Sequence, residues 1–335
     1  MGRPASPRDF CKHPHRLGGL STRTHLRRDF DCMHSRLPNA AAPSVHDSAC
    51  TKNSGPRVVA DRDELRQLIL DARHRGQSVG LVPTMGALHE GHLSLVDQAR
   101  EECDLSIVSI FVNPTQFAPN EDFRQYPREP AKDLSLLAER GCDIVFAPTV
   151  ESVYRPHHST YIDVGAIGSV LEGEFRPTHF RGVATVVLKL FNLVPADRAY
   201  FGRKDYQQTL VVRQMVADLD VPIDVRVCPT VRESDGLAMS SRNRYLSADE
   251  RRRALAISRS LRLAEEMYAG GERRASVIRE RIAQEIERAD GIRIQYIAIV
   301  ADDTVTPVER LDSPTTIAIA ATVGKTRLID NTLIG

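Results

Sequence analysis

Two histidines three residues apart, His89 and His92, end the string PTMGALHEGH at residues 83–92. An apolar run, 78–82, precedes the string and an amphipathic run, 93–100, follows it. That order predicts a strand, a glycine-containing turn and a helix, with both imidazoles on one face of the helix start. Unpaired N–H groups and the positive end of the helix dipole meet at such a place and suit a phosphate chain. The implied chemistry is that of ATP. A zinc-protease pattern needs H-E-x-x-H, and His89-Glu90-Gly91-His92 is one residue short of it. Histidines that serve only as helix caps are the competing explanation.

Three other strings carry suitable groups. Gly202-Arg203-Lys204-Asp205-Tyr206-Gln207-Gln208 follows a predicted strand and opens a helix. Lys204 could neutralise phosphate and Asp205 could accept from ribose hydroxyls, although an ordinary charged helix start looks the same. Met239-Ser240-Ser241-Arg242-Asn243 offers two hydroxyls and a forked cation, a set that suits phosphate as well as a plain surface loop. Phe111-Val112-Asn113-Pro114-Thr115-Gln116-Phe117 ends a strand in an amide-bearing turn, suited to a neutral polar substrate group or to no ligand at all.

The elements that must position these strings alternate. Helix is expected over 63–75, ending at Gly76, and strand over 78–82. Next come a helix over 92–102, a strand over 105–112, a helix over 129–140 with Gly141 in the C′ position, and a strand over 143–146. A helix over 183–193, a strand near 199–201, a helix over 206–219 and a strand over 223–228 complete the run. Repeated βα units imply a parallel sheet covered on both faces, with ligands beyond the C-terminal strand ends. All four strings fall at such ends or at helix starts. After Val231 the pattern changes. Ser247 and Glu250 form a capping box before a long charged helix reaching 269. A helix over 275–289 and strands over 292–300, 316–321 and 327–330 suggest a separate α+β domain.

Composition narrows the class. The 335 residues are 41% hydrophobic but only 5% aromatic, without Trp, so the core must be aliphatic. Lys+Arg 45 against Asp+Glu 44 argues against a nucleic-acid coat protein. No apolar run approaches the ~18 residues of a membrane span, so no membrane association is expected. The cysteines, Cys11, Cys32, Cys50, Cys103, Cys142 and Cys228, form no C-x-x-C pair, which favours a reduced, cytoplasmic protein. Residues 1–56 are rich in Arg, His, Pro and Ser, lack periodicity, and read as a disordered extension. A metal-binding tail is an alternative there, given His13, His15, His25, His34 and His46. Asp9, Asp29 and Asp31 weaken a transit-peptide reading.

Together the strings PTMGALHEGH, FVNPTQF, HFRGVATVV (179–187), FGRKDYQQ and MSSRN resemble the pantoate–β-alanine ligase (pantothenate synthetase) family. The similarity runs from residue 57 to the C-terminus. H-x-G-H alone indicates only the wider nucleotidyltransferase group. The resemblance implies a Rossmann-like α/β fold, a doubly wound parallel sheet over 57–231, with a smaller C-terminal α+β lid domain over 232–335. It implies ATP-dependent condensation of D-pantoate with β-alanine through a pantoyl adenylate, with Mg²⁺ accompanying ATP, in a homodimer formed through the larger domain. By the same resemblance, Met85, Gly86, Ala87, Leu88, His89, Glu90, Gly91 and His92 form the ATP loop, with His92 the catalytic histidine. Gly202, Arg203, Lys204, Asp205, Val231, Met239, Ser240, Ser241 and Arg242 complete the ATP contacts; Lys204, Ser240, Ser241 and Arg242 are the charge and hydroxyl donors. Gln116 and Gln208 hold pantoate, with Gln116 also towards β-alanine, and Asp133 falls near the metal. The family often has Glu or Gln where Arg203 stands, a change expected to add positive charge. A cytidylyltransferase-like enzyme and a non-catalytic nucleotide-binding module are the rivals.

Overall fold

The computed structural model describes residues 55–335 except Asn120. The expected extension lies outside the described residues up to residue 54. The first half runs β1 (Arg57–Val59), α1 (Arg62–His74), β2 (Val79–Thr84), α2 (Glu90–Glu102), β3 (Leu105–Ile110), α3 (Pro130–Glu139), β4 (Ile144–Phe146), α4 (Val150–Val153), α5 (Glu172–Phe175), α6 (His179–Leu193), β5 (Arg198–Gly202), α7 (Tyr206–Asp218) and β6 (Asp224–Cys228). Among the described residues, these strands form one parallel sheet in the order β1-β4-β3-β2-β5-β6.

Alternation along the strands explains the layers. Val79 and Leu81 of β2 face one cluster with Leu65, Ile69, Ala184 and Val187, whereas Val82 faces another with Leu93, Val96 and Leu137. Helices α1 and α6 therefore cover one face, and α2 and α3 the other, as a sheet apolar on both sides requires. Local signals set the boundaries. The Asp61 carboxylate accepts from the amides of Asp63 and Glu64, at 2.9 Å each, and starts α1. Gly141, at φ +65°, turns the chain out of α3, as expected.

The second half contains α8 (Ala248–Ala269), α9 (Ala275–Glu287) and the antiparallel strands β7 (Ile292–Ala301), β8 (Thr315–Val323) and β9 (Thr326–Ile334). The capping box is present: the Ser247 hydroxyl accepts from the Glu250 amide, and the Glu250 carboxylate accepts from the Ser247 amide. Ile257 and Leu261 of α8 and Ile278 and Ile282 of α9 pack on Ile317 and Ile319 of β8. The expected α/β sheet with a small C-terminal α+β domain is the observed fold.

Two boundaries differ usefully. Helix α2 begins at Glu90 rather than 92, because His89 occupies the N-cap with extended backbone, φ −144°. Helix α6 begins at His179 rather than 183. Gly182 sits inside the first turns of α6, where the helix meets the 114–116 turn. A Cβ there would lie 2.4 Å from the Thr115 carbonyl oxygen.

Candidate active site

Strands β2 and β5 pair only near their N-terminal ends, Gly80 with Arg198 and Leu81 with Ala199. From β2 the chain moves outward through β3 and β4; from β5 it moves the other way to β6. The gap between β2 and β5 is thus the switch point of the sheet, where open α/β folds bind ligands. A cavity of about 790 Å³ lies there. After β2 it is lined by Met85, His89, Gly91 and His92; after β5 by Gly202, Lys204, Asp205 and Gln208. Gln116 from the β3 end, Val231, and Met239, Ser240, Ser241 and Arg242 from the second half complete the expected set on its wall.

The two imidazoles stack, with ring centroids 4.1 Å apart. His89 makes no side-chain cap bond, so capping alone does not account for it. Nδ1 of each ring is buried without a hydrogen-bond partner among the described residues. Burial, then Lys204, pulls the His89 pKa down to about 4. Burial, then His89, pulls His92 down to about 3. Both rings are neutral at pH 7, each with one N–H donor and one acceptor. Gly91 permits this packing: a Cβ there would lie 3.0 Å from the His89 ring.

Cations sit around the pair. Lys204 Nζ lies 3.2 Å from the Asp205 carboxylate. Burial pushes the Asp205 carboxyl up, but Lys204, with His92 and Arg242, more than offsets this and its pKa falls. Arg242 donates through Nε and Nη2 to Asp122, at 3.2 and 3.0 Å, which raises its pKa against the effect of burial. The Ser240 hydroxyl accepts from the Arg242 amide, at 3.3 Å, and shapes the loop. Gln116 is buried; its Oε1 accepts from Asn113 at 3.0 Å and its Nε2 points at the Met85 sulfur, 3.1 Å away.

The chain is similar to known proteins over most of its length. Residues 57–333 match the model of the pantoate-beta-alanine ligase family. The chain belongs to that family. It is 53% identical over 270 residues to a pantothenate synthetase of Moorella thermoacetica, covering 81% of this chain and 95% of that one. It is 51% identical over 278 residues to that of Pseudothermotoga lettingae, covering 83% and 99%. Among solved structures, pantothenate synthetase from Thermus thermophilus superposes with TM-score 0.79 at 44% identity, covering 82% of this chain and 98% of that one. The pantoate-beta-alanine ligase of Francisella tularensis, solved with beta-gamma ATP and beta-alanine, gives TM-score 0.69 at 35% identity, covering 83% and 97%.

Within this ligase, some expected site residues do not face the cavity. Gly86, Ala87 and Leu88 form the turn behind it, and Leu88 packs in the core beside Val82 and Leu93. Glu90 points away and pairs with Arg140 at 2.6 Å. Arg203 does not add charge to the cavity: Asp302 neutralises it at 2.5 Å and Thr316 Oγ1 accepts from it at 2.7 Å. Asp133, expected near a metal, holds the turn that follows β2 with its carboxylate. Its oxygens accept from the amides of Ala87, at 3.0 Å, and Leu88, at 2.8 Å. Ala87 has φ +51°, a left-handed conformation that a buried clamp can hold.

Other cavity residues were not singled out by the sequence. Glu172, in α5, accepts from both terminal nitrogens of Arg327, at 2.5 and 2.6 Å, and from Tyr296 Oη at 2.7 Å. It thereby ties the first half to the C-terminal sheet. Gln207 supports it: its Oε1 accepts from the Glu172 amide and its Nε2 donates to the carbonyls of Ile167 and Val170. Arg176 lies between Glu121 and the Gln116 carbonyl. The only hint was the concentration of charge in LEGEFRPTH at 171–179. No element is expected over 171–179 from the sequence, so no periodicity assigns a face there.

Proposed function

We propose that this ligase condenses D-pantoate with β-alanine at the expense of ATP, and that both steps occur in the cavity between β2 and β5. The observation that carries the assignment is the convergence there of His89, His92, Lys204, Gln116, Gln208 and the 239–242 loop in a chain matched over 57–333. In the first step a pantoate carboxylate oxygen attacks the α-phosphorus of ATP. The bond to the bridging β-phosphate oxygen breaks and pyrophosphate leaves. In the second, the β-alanine amine attacks the acyl carbon of the pantoyl adenylate, loses a proton and expels AMP. Adenylation replaces an oxide leaving group with a stable one, and the walls of the cavity must shield the mixed anhydride from water.

Neutral His92 donates N–H to a phosphate oxygen that gains charge in the transition state. A neutral donor of low pKa suits this role, because it needs no proton transfer before the triphosphate arrives. His89 contacts the triphosphate beside it. Lys204 and Arg242 supply charge, and the Ser240 and Ser241 hydroxyls supply donors. Gln116 and Gln208 hold the pantoate hydroxyls as uncharged partners. Among the described residues no group of His, Cys, Asp and Glu forms a metal cage. Mg²⁺, entering as part of the MgATP substrate, would offset phosphate charge alongside Lys204 and Arg242. Residues 57–231 act as the nucleotide and pantoate domain, and residues 232–335 as a lid domain that contributes Met239 to Arg242. The working form is a cytoplasmic homodimer joined through the larger domain. No helix among the described residues is long and apolar enough to cross a membrane.

The test is ATP with D-pantoate, with and without β-alanine, following pyrophosphate and AMP separately. Pyrophosphate should appear without the amine and AMP only with it. Folded protein that turns over no ATP with pantoate would remove the assignment.

A further inference from the structure

Four of the five cations lining the cavity already hold a carboxylate. Arg176 pairs with Glu121, Lys204 with Asp205, Arg242 with Asp122 and Arg327 with Glu172. The fifth, Lys325, is exposed at the turn between β8 and β9 and has no carboxylate partner among the described residues. A polyanion entering the cavity meets donors that mostly already hold a carboxylate.

Two of those carboxylates are consecutive. Glu121 receives Nε and Nη2 of Arg176 at 2.6 and 2.7 Å. Asp122 receives Nη2 and Nε of Arg242 at the longer distances of 3.0 and 3.2 Å. One short segment therefore spans two walls of the cavity. The Arg176 side adjoins the Gln116 carbonyl, and the Arg242 side belongs to the 239–242 loop. The segment is tied twice more to the 3-10 turn Ser241–Tyr245, which continues from that loop. Tyr126 Oη lies 3.3 Å from Ser241 Oγ, and Tyr245 Oη donates to the Gln125 carbonyl at 3.4 Å. Tyr126 is buried, edge-on to Phe117 at 6.0 Å between ring centroids. Residues 121–126 thus form a strap. Its Glu121 end is held by the shorter ion pair, and its contacts with the 241–245 turn are the longer ones.

We propose that Asp122 is the counter-ion that polyphosphate displaces from Arg242, so that filling the phosphate end of the cavity releases the strap from the 241–245 turn. A guanidinium fork fits phosphate as well as carboxylate, so one charge-assisted pair replaces another. Until displaced, Asp122 aims the fork, and its charge opposes the incoming phosphates. Asp122 is therefore a positioning residue. The proposal rests on Arg242 as an ATP contact.

The experiment uses the full chain, titrated calorimetrically with the Mg²⁺ complex of β,γ-methylene ATP. Asp122→Asn and Asp122→Ser both remove the charge and should bind roughly three- to tenfold tighter, a range set by one partly screened charge. Asp122→Glu keeps the charge and should bind close to the parent. The KM for ATP should fall in Asp122→Asn while that for pantoate stays constant; a residue that merely held the fold would disturb both. Because the chain has no Trp, Phe123→Trp gives a single reporter on the strap. Its emission should shift on saturation with the analogue. Arg242→Ala separates the two claims. If it weakens binding but neither Asp122→Asn nor Asp122→Ser strengthens it, the exchange is overturned and the ATP contact stands. If Arg242→Ala leaves binding unchanged, the contact itself falls, and the exchange with it. An unshifted Phe123→Trp emission would overturn release of the strap.

Discussion

The imidazoles of His89 and His92 lie with centroids 4.1 Å apart and planes tilted by 30°, each with a buried Nδ1 lacking a hydrogen-bond partner among the described residues. Two adjacent rings in that setting cannot both carry a proton cheaply. Their pKa values fall to about 4 and about 3, chiefly through burial, then through Lys204 for His89 and through the neighbouring ring for His92.

Acid should therefore destabilise the fold early. His179 joins the pair: burial, then Arg176, lowers it to about 4, although its Nδ1 lies 3.0 Å from the Gln116 carbonyl oxygen. All three have folded pKa values below the unfolded value of about 6.5. The unfolded chain then binds more protons as pH drops. The stabilisation is complete above pH ~6.5 and is lost as pH falls towards 4, with a slope approaching about 4 kcal/mol per pH unit for three protons. Urea unfolding at pH 7.5, 6 and 5 measures it. Equal stability at all three values would contradict neutral buried rings.

Replacing His92 with Ala should cost adenylation about 10²–10³-fold, the usual loss for one donor to developing charge. Pyrophosphate release in the absence of β-alanine isolates that step. A rate equal to the parent's would place the chemistry elsewhere.

Asp133→Asn puts an amide donor against the amides of Ala87 and Leu88, which now share one carboxylate. A loss of about 1–3 kcal/mol in stability is expected, as for a buried donor left unsatisfied. The rise in KM should be larger for ATP than for pantoate, since the clamped turn precedes His89. Unaltered stability and KM would show that the clamp is dispensable.

Gly182→Ala should act through Gln116. The added Cβ would lie 2.7 Å from the Gln116 Cα as well as 2.4 Å from the Thr115 oxygen. Helix α6 and the 114–116 turn must then move apart, at a cost of about 1–3 kcal/mol. Here the KM for pantoate should rise more than that for ATP, the reverse of the Asp133 variant. The same ordering in both variants would argue against Gln116 as a pantoate contact.

A chain lacking residues 1–54 should keep full AMP-forming activity. The family match begins at residue 57, and the first cavity-lining residue is Pro83. Lost activity in a folded truncated chain would give the extension a role.

The strings that make the cavity were legible before any coordinates, because each is a local signal: a strand run, then a turn, then a helix start. So were the βα order and the capping box at Ser247, which depend on residues only a few positions apart. The long-range pairs were not legible. Arg203 looked like added charge until Asp302, in the C-terminal half, proved to neutralise it. Nothing along the chain shows that the Asp133 oxygens accept from amides of the turn 45 and 46 residues earlier. Asp122 and Glu172 fall where no element is expected from the sequence, and Arg327 reads only as part of a strand, so nothing local marks any of the three as a partner of a distant charge. Sequence determined which segments could form a phosphate-binding cavity. Tertiary structure decided which charges face it and which are already spent, because an ion pair depends on distance in space and leaves no pattern along the chain.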